Sequence, residues 1–308
     1  MDRLQPELSL CIAGVRLALR NRTGLTVPPL DSPYLPFVCD ARSSAAADLG
    51  IDVALVPKDL SDCPPLTRTH SLGPECSFYR DAEGRLYLRQ PSADDASPVW
   101  FARFDRTARD AVVLIERSRM RAESGERLVT NPLTCGLDQA LLVYRLAALA
   151  GGMLHGAVAV VEGKGLLLAG RSGSGKSTLA RLLARRESVR VLSDERAAVR
   201  RMGDGWTVHG TPWCSSAGAA ACTAAPLCGL FFLRHGSKTE ARALSTAAAL
   251  ERLLPLVTIP WGDPLILPSL LDFCGALSTG VAAFDMPFEP HERAADHLES
   301  LAAGLSSR

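Results

Sequence analysis

The stretch GLLLAGRSGSGKSTLARLL, residues 165–183, carries the pattern G-x-x-x-x-G-K-S from Gly170 to Ser177. An apolar run over residues 166–169 precedes the pattern, and leucines at helical spacing follow it. A strand, a glycine-rich loop and a helix are therefore predicted in that order. Glycines let such a loop turn tightly, so its N–H groups converge near the positive end of the helix. The stretch predicts a site for the phosphates of a nucleoside triphosphate.

The residue types in this loop predict how ATP and Mg²⁺ are bound. Lys176 is expected to reach the outer phosphates, and the hydroxyl of Ser177 is suited to ligate Mg²⁺. The predicted nucleotide-binding residues are Gly170, Ser172, Gly173, Ser174, Gly175, Lys176, Ser177 and Thr178.

Bulk composition excludes several classes of protein. Hydrophobic residues make up 47% of the 308 residues, enough for a substantial core in one large domain or two. Aromatic residues are only 6%, which argues against a base-stacking surface for single-stranded nucleic acid. A formal net charge of +1 gives no basic field for DNA or RNA. No nucleic-acid partner is therefore expected.

Cysteine spacing and the N-terminal sequence predict a cytoplasmic protein with reduced thiols. The nine cysteines are scattered, and none forms a CxxC pair of the kind that binds zinc. The start of the chain, MDRLQPELSL, lacks the order of a signal peptide. The apolar, uncharged stretch over residues 146–161 is too short and too rich in glycine to favour a membrane span.

Hydrophobic periodicity divides the chain into two predicted domains. Residues 1–130 contain alternating runs typical of strands, such as residues 15–20, with turn residues between them. They predict a smaller β-rich domain. Three roles are open for it: recognition of a substrate, capping of the sheet, or dimerisation, which would make the protein a homo-oligomer. Residues 131–308 begin with a predicted helix over residues 137–149 and contain the nucleotide loop.

The strand before the loop is itself preceded by a strand, over residues 153–161. Only a short turn at residues 162–165 separates the two, so they must be antiparallel. Most proteins with this loop pattern use a parallel sheet, whereas this hairpin predicts a mixed one. The predicted fold class is therefore α/β with a mixed sheet in the nucleotide-binding core.

Two adjacent carboxylates follow the next predicted strand. Asp194 and Glu195 follow Ser193 at the carboxyl end of a short strand predicted over residues 189–192. One carboxylate can hold Mg²⁺ while the other deprotonates an acceptor hydroxyl. The sequence does not decide which residue has which role.

Three further side chains are candidates for the same site. His155 interrupts the apolar strand before the loop, a position that suits either a packed structural residue or a catalytic one. Arg234 and Lys238 belong to a polar, basic turn after residues 229–233, and either could stabilise charge on a transferred phosphoryl group.

These motifs together resemble the HPr kinase/phosphorylase family. The shared features, in the same order, are His155-Gly156, a short turn, the loop from Gly170 to Ser177, and Asp194-Glu195-Arg196. The resemblance implies a core of the PEP-carboxykinase type. It also implies that His155 is a catalytic-site residue, that Asp194 and Glu195 are the base and metal pair, and that Lys176 and Ser177 contact phosphate and Mg²⁺. The candidate metal ligands are therefore Ser177 and Glu195.

The chain differs from that family in ways that affect the implied acceptor. The family pairs two aspartates where this chain has Asp194-Glu195, and the later Glu-x-Arg-Gly segment has no match here. The segments over residues 209–213 and 231–233 resemble those of divergent relatives of this family. These relatives include kinases that modify ribosomal peptides. The implied reaction is transfer of the γ-phosphoryl group of ATP to a serine hydroxyl on a peptide, a protein or a small molecule.

Two alternatives stay open at the level of sequence. The chain could bind a nucleotide as an accessory or regulatory protein without transferring phosphate. It could also be a metabolic enzyme of the PEP-carboxykinase type, although no cluster of Mn²⁺ ligands is evident in the sequence.

Overall fold

A computed structural model describes residues 8–24, 29–40, 47–56, 65–71, 77–90, 100–116, 121–123, 126–128, 133, 136–215 and 218–306. The chain forms two compact units that are interleaved in sequence. The first contains residues 1–11, 15–145 and 260–267, and the second contains residues 12–14, 146–259 and 268–308. The domain boundary after residue 130 stays a prediction.

The first unit is built on a mixed sheet. In the described residues its strands are β1 (Leu8–Ile12), β2 (Val15–Asn21), β3 (Leu49–Val56), β4 (Thr67–Ser71), β5 (Ser77–Arg80), β6 (Leu86–Gln90), β7 (Trp100–Phe104) and β8 (Asp110–Glu116). Their order is β1-β2-β3-β8-β7-β6-β5-β4. β3 is parallel to both of its neighbours, β2 and β8. From β4 to β8, each strand pairs antiparallel with the next one in the chain. A short hairpin of β9 (Arg121–Glu123) and β10 (Glu126–Leu128) follows.

A buried carboxylate anchors the segment that returns to this unit late in the chain. Asp263 is fully buried, and it accepts hydrogen bonds from the Tyr144 hydroxyl at 2.9 Å and the Arg80 guanidinium at 2.8 Å. Tyr144 belongs to α1 (Leu137–Ala147), which confirms the helix predicted there. Because a buried charge is costly unless it is paired, these contacts hold residues 260–267 in place.

The second unit holds the glycine-rich loop on another mixed sheet. Its strands are β11 (Gly151–Val161), β12 (Lys164–Ala169), β13 (Val189–Ser193), β14 (Arg196–Met202), β15 (Gly205–His209), β16 (Ala224–His235), β17 (Arg242–Ala243) and β18 (Ala283–Phe288). The order along the sheet is β12-β11-β14-β15-β16-β18-β17, with β13 beside β11 and β16 also beside β12. This mixed arrangement confirms the predicted fold class, α/β with mixed sheets.

The predicted hairpin leads into the loop as expected. β11 and β12 pair antiparallel from Gly156↔Ala169 to Val161↔Lys164. β12 then pairs parallel with β16, and β16 pairs parallel with β18. The carboxyl ends of these three strands therefore meet at one edge, where the loop begins.

Helices cover the sheet of the second unit. They are α2 (Lys176–Leu183), α3 (Thr246–Leu253), α4 (Leu267–Gly280) and α5 (Glu292–Gly304). Leucines of α2 and α5 join the buried aromatic rings of β16 and β18 in one core cluster, which includes Leu179, Leu183, Phe231, Phe288 and Leu298. This packing fixes the start of α2, and with it the end of the glycine-rich loop.

Local hydrogen bonds define where two helices begin. Ser245 caps α3, because its hydroxyl accepts a hydrogen bond from the Ala248 N–H at 3.3 Å. α4 begins at Leu267. It is preceded by a turn in which the Asp263 carboxylate accepts the Leu265 N–H at 3.0 Å.

Across the part of the chain that is described, no helix is both long and apolar enough to cross a lipid bilayer. Cys214, Cys228 and Cys274 are free thiols. Cys63, Cys76 and Cys135 lie outside the described residues.

His209, at the end of β15, is a buried histidine with an altered pKa. Its side chain is 8% exposed, and its Nε2 atom lacks a hydrogen-bond partner among the described residues. Burial, reinforced by the nearby Arg200 guanidinium, lowers the pKa of His209 to about 4. The unfolded chain therefore binds a proton on this residue at a pH where the folded chain does not.

We expect this histidine to make the folding stability fall with decreasing pH. An unfolded histidine has a pKa of about 6.5, so the loss begins near that pH and reaches up to about 3 kcal/mol near pH 4. Comparing urea unfolding of the wild type and His209→Gln across this range isolates the effect. The wild type should lose more stability than the variant as the pH falls. Parallel curves would contradict the altered pKa.

Candidate active site

A cavity of about 420 Å³ opens where β12 meets the glycine-rich loop. It is lined by residues of the loop, of the β11 strand, of the β13–β14 turn and of two other segments. These residues are His155, Ser172, Gly173, Gly175, Lys176, Ser177, Thr178, Asp194, Glu195, Ser215 and His235. Most of the predicted site residues are therefore brought together, and Ser215 and His235 join them.

The loop adopts a backbone that requires glycine at two places. Gly173 and Gly175 have φ angles of +79° and +93°, in the left-handed region. Gly175 is the N-cap of α2, which begins at Lys176. A Cβ atom added to Gly175 would lie 2.5 Å from the ring of Phe288, whereas one added to Gly173 would meet open space. The backbone of the loop is thus pressed closely against the core at Gly175.

Lys176 is a buried cation held by neutral groups. Its side-chain Nζ donates to the carbonyl oxygens of Gly170 at 2.7 Å and Arg171 at 2.9 Å. Burial lowers the pKa of this ammonium group, and the negative charge of the Glu195 carboxylate partly opposes that shift. Among the described residues, no carboxylate forms an ion pair with Nζ, so a buried ammonium at the N-terminus of a helix is open to an anionic ligand.

Two predicted loop residues lie behind the cavity. Gly170 and Ser174 are absent from the cavity lining in the described structure. Ser174 packs against Gly170, and its buried hydroxyl has no hydrogen-bond partner among the described residues. The backbone N–H of Ser174 donates to the Arg171 carbonyl at 3.1 Å, which closes the loop. These two residues shape the loop rather than its inner surface.

Asp194 is tied to the loop through a serine that sequence analysis did not identify. Asp194 is 1% exposed, and its two carboxylate oxygens accept from the backbone N–H of Ser215 at 2.9 Å and from the Ser215 hydroxyl at 2.6 Å. The same hydroxyl oxygen lies 3.0 Å from that of Ser177. A chain of hydroxyl contacts therefore links the loop serine to the buried carboxylate.

Glu195 orients His155. The carbonyl oxygen of Glu195 accepts the backbone N–H of Gly156 at 3.0 Å and lies 3.0 Å from the Nδ1 atom of His155. Because a carbonyl can only accept, Nδ1 must carry the proton. Burial lowers the pKa of His155, so the ring is neutral near pH 7 and its Nε2 atom keeps a lone pair. His155 can therefore accept a proton or a hydrogen bond in the cavity.

Arg234 was predicted to lie near the phosphates, but the structure directs it elsewhere. Its guanidinium forms an ion pair with Asp285 at 3.0 Å and does not line the cavity. The strand β16 extends to residue 235, and strand alternation places neighbouring side chains on opposite faces. His235 therefore takes the position on the loop side, where its Nε2 atom lies 2.6 Å from the Gly173 carbonyl.

Lys238, the other predicted cation, is an exposed residue in the turn after β16. It too is missing from the cavity lining. The cavity's buried positive charge therefore comes from Lys176, at the start of α2.

The oxygen atoms in the cavity suit a hard cation such as Mg²⁺. Ser177, Asp194, Glu195 and Ser215 all present oxygen, the element that Mg²⁺ prefers. Within the described residues, no group of three or more His, Cys, Asp or Glu side chains is arranged to hold a metal by itself. Mg²⁺ in nucleotide sites typically keeps water and phosphate ligands beside one or two carboxylates, so this donor set fits it.

Comparison with known proteins gives two similarities. A family model described as "ScmC: SynChlorMet cassette protein ScmC" matches residues 134–256, less than half of the chain. No curated protein matches the chain. Among solved structures, the chain is similar to the Hpr(Ser) kinase/phosphatase from Coxiella burnetii, with 13% identity over 49% of this chain and 94% of that chain. The TM-score is 0.30, a weak structural similarity.

The contact between Gly175 and Phe288 leads to a stability prediction. Gly175→Ala and Gly173→Ala both place an alanine in the left-handed region, which costs about 1–2 kcal/mol. Only Gly175→Ala also forces a side chain against the buried ring, and such overpacking costs roughly 1–3 kcal/mol more. Urea unfolding of both variants measures the difference. Equal losses of stability would mean that the ring yields freely.

Proposed function

We propose that the protein is an ATP- and Mg²⁺-dependent kinase that transfers the γ-phosphoryl group to a serine hydroxyl on a protein or peptide. The observation that carries the proposal is the buried Lys176 ammonium, whose hydrogen bonds in the described residues go to backbone carbonyls and not to a carboxylate. It faces the same cavity as Asp194 and Glu195. Phosphoryl transfer requires a phosphate-binding loop and carboxylates in one cavity.

The loop from Gly173 to Thr178 would hold the phosphates of ATP. The N-terminus of α2 directs its N–H groups and its positive dipole to that place. Lys176 supplies a full positive charge beside them, and the carbonyls of Gly170 and Arg171 keep its side chain aimed. Mg²⁺, when bound, neutralises phosphate charge and makes the terminal phosphorus more open to attack.

The two carboxylates would have different roles in the transfer. Asp194 is the base, because its buried carboxylate already accepts a hydrogen bond from a serine hydroxyl. Glu195, which also lines the cavity, would hold Mg²⁺ together with Ser177. His155, neutral and with a free lone pair on Nε2, would orient the acceptor hydroxyl. Lys238 is proposed only as a cation that approaches the phosphates from the exposed turn.

The order of motifs also supports this function. His155-Gly156, the glycine-rich loop and Asp194-Glu195-Arg196 follow the pattern of HPr-type kinases, which phosphorylate serine. In this structure the same three segments line or adjoin one cavity. The acceptor that we propose is a serine-bearing protein or peptide, without nucleic acid or membrane as partners.

Removing the loop lysine should abolish nucleotide binding. Lys176→Ala removes a buried cation from the cavity lining, and we expect the affinity for Mg-ATP to fall at least about 100-fold, since contacts to charged groups contribute roughly 1.5–3 kcal/mol each and more when buried. Isothermal titration calorimetry measures this loss.

Lys164 offers a matched control. Its Nζ also donates to two backbone carbonyls, those of Ala302 and Ala303, but it lies at the start of β12, away from the loop. Lys164→Ala should leave the affinity for Mg-ATP unchanged. An unchanged affinity in Lys176→Ala would refute the assignment of the phosphate site.

Asp194→Asn should separate binding from transfer. Asparagine keeps the size of the side chain but cannot take up a proton, so Mg-ATP should still bind while transfer falls at least about 100-fold, the usual contribution of a general base. The measurement combines calorimetry with transfer of labelled phosphate to serine-containing peptides. Full transfer by the variant would remove Asp194 from the mechanism.

A nucleotide-binding regulatory protein without transfer is the second candidate. The observation that favours it is that both carboxylate oxygens of Asp194 are already engaged by Ser215. In that case Mg-ATP binds tightly and depends on Lys176, yet neither an added acceptor nor the protein itself is ever labelled. The same labelling assay therefore distinguishes the two candidates.

A further inference from the structure

Ser215 makes the contact that an acceptor serine would make. It lies in the segment between β15 and β16 and lines the cavity together with Lys176 and Ser177. Its hydroxyl lies 2.6 Å from one carboxylate oxygen of Asp194, and its N–H donates to the other at 2.9 Å. The residue is therefore held by its backbone as well as by its side chain.

The chemistry of the two groups fixes the direction of this hydrogen bond. An ionised carboxylate can only accept, so the hydroxyl proton of Ser215 points at Asp194. The Ser177 hydroxyl on the glycine-rich loop must then donate to the Ser215 oxygen, 3.0 Å away, and that oxygen keeps a second lone pair. A hydroxyl whose proton faces a base and whose oxygen lies beside the phosphate loop is arranged as a nucleophile.

The position of Ser215 also blocks other acceptors. Both oxygens of Asp194 already accept hydrogen bonds from Ser215, and Asp194 itself is 1% exposed. Each oxygen has a further lone pair, but an external serine could occupy this same position between Asp194 and the glycine-rich loop only after Ser215 has left. The first hydroxyl available to the base is thus one from the chain itself.

We propose that Ser215 is a phosphorylation site, modified by its own chain in cis. The proposal rests on the kinase function described above. The Ser215 oxygen forms a bond to the γ-phosphorus of ATP, and the bond from that phosphorus to the β–γ bridging oxygen breaks. ADP leaves with the electron pair, and Asp194 takes the hydroxyl proton. A phosphate of charge about −1.5 to −2 beside Asp194 and Glu195 repels both carboxylates, so the modified segment is driven away from the base.

The test is mass spectrometry of the full-length protein after incubation with Mg-ATP. We expect one added phosphoryl group, assigned to Ser215 by peptide fragmentation that distinguishes it from the adjacent Ser216. Ser215→Ala should remove this group, and Ser215→Thr, which restores a hydroxyl, should regain part of it. Ser306→Ala is the control, because Ser306 is exposed near the C-terminus, and it should be labelled like the wild type.

Protein concentration and two further variants complete the test. For a reaction in cis, the fraction of chains labelled per unit time does not change when the protein is diluted tenfold. Asp194→Asn should bind Mg-ATP but lose the label, and Lys176→Ala should lose both.

Binding of Mg-ATP that depends on Lys176, without phosphate on Ser215 of the wild type, would overturn this inference and leave the proposed nucleotide site standing. A rate of labelling per chain that falls on dilution would overturn the cis mechanism. A wild-type protein that binds no Mg-ATP would refute the proposed function itself.

Discussion

The long strand β11 is the constraint on which the cavity depends. Its second half lies between β12 and β13, and its first half pairs with β14. One strand thus fixes the strand that feeds the glycine-rich loop and the two strands that flank Asp194 and Glu195. His155 lies where the pairing changes, and its neighbour Gly156 donates to the Glu195 carbonyl at 3.0 Å. The relative placement of loop and carboxylates is therefore a matter of backbone pairing, which side-chain substitution alters little.

Adjacent residues in a regular strand point to opposite faces, yet Asp194 and Glu195 line one cavity. They can do so because they occupy the bend between the end of β13 at Ser193 and the start of β14 at Arg196. The bend is itself held by the Glu195 carbonyl, which accepts from Gly156 and contacts His155. Strand pairing therefore stops for two residues at the place where both carboxylates face the cavity.

Much of this could be predicted from the sequence because it depends on local patterns. The strand, loop and helix around Gly175 follow from spacing and glycine content, and the hairpin of β11 and β12 follows from a connection too short for a crossover. Ser215 could not be predicted in this way. It is 21 residues from Asp194 and belongs to a loop of small residues with no periodic pattern. Only the fold brings its hydroxyl to the carboxylate.

Arg234 and His235 show the limit of composition as a guide. The basic residues of the predicted turn indicated a cation near the phosphates, but β16 continues two residues beyond its predicted end. The alternation of side chains along the strand then decides which residue faces the glycine-rich loop. Leu233 belongs to the core cluster with α2, so His235, two residues on, lies on that same face. Its ring contacts the Gly173 carbonyl and stacks on Phe288, with 6.5 Å between ring centroids. Phe288 also contacts the place where Gly175 lacks a side chain. A single buried ring therefore supports the loop at two points, which couples the shape of the cavity to the packing of the core.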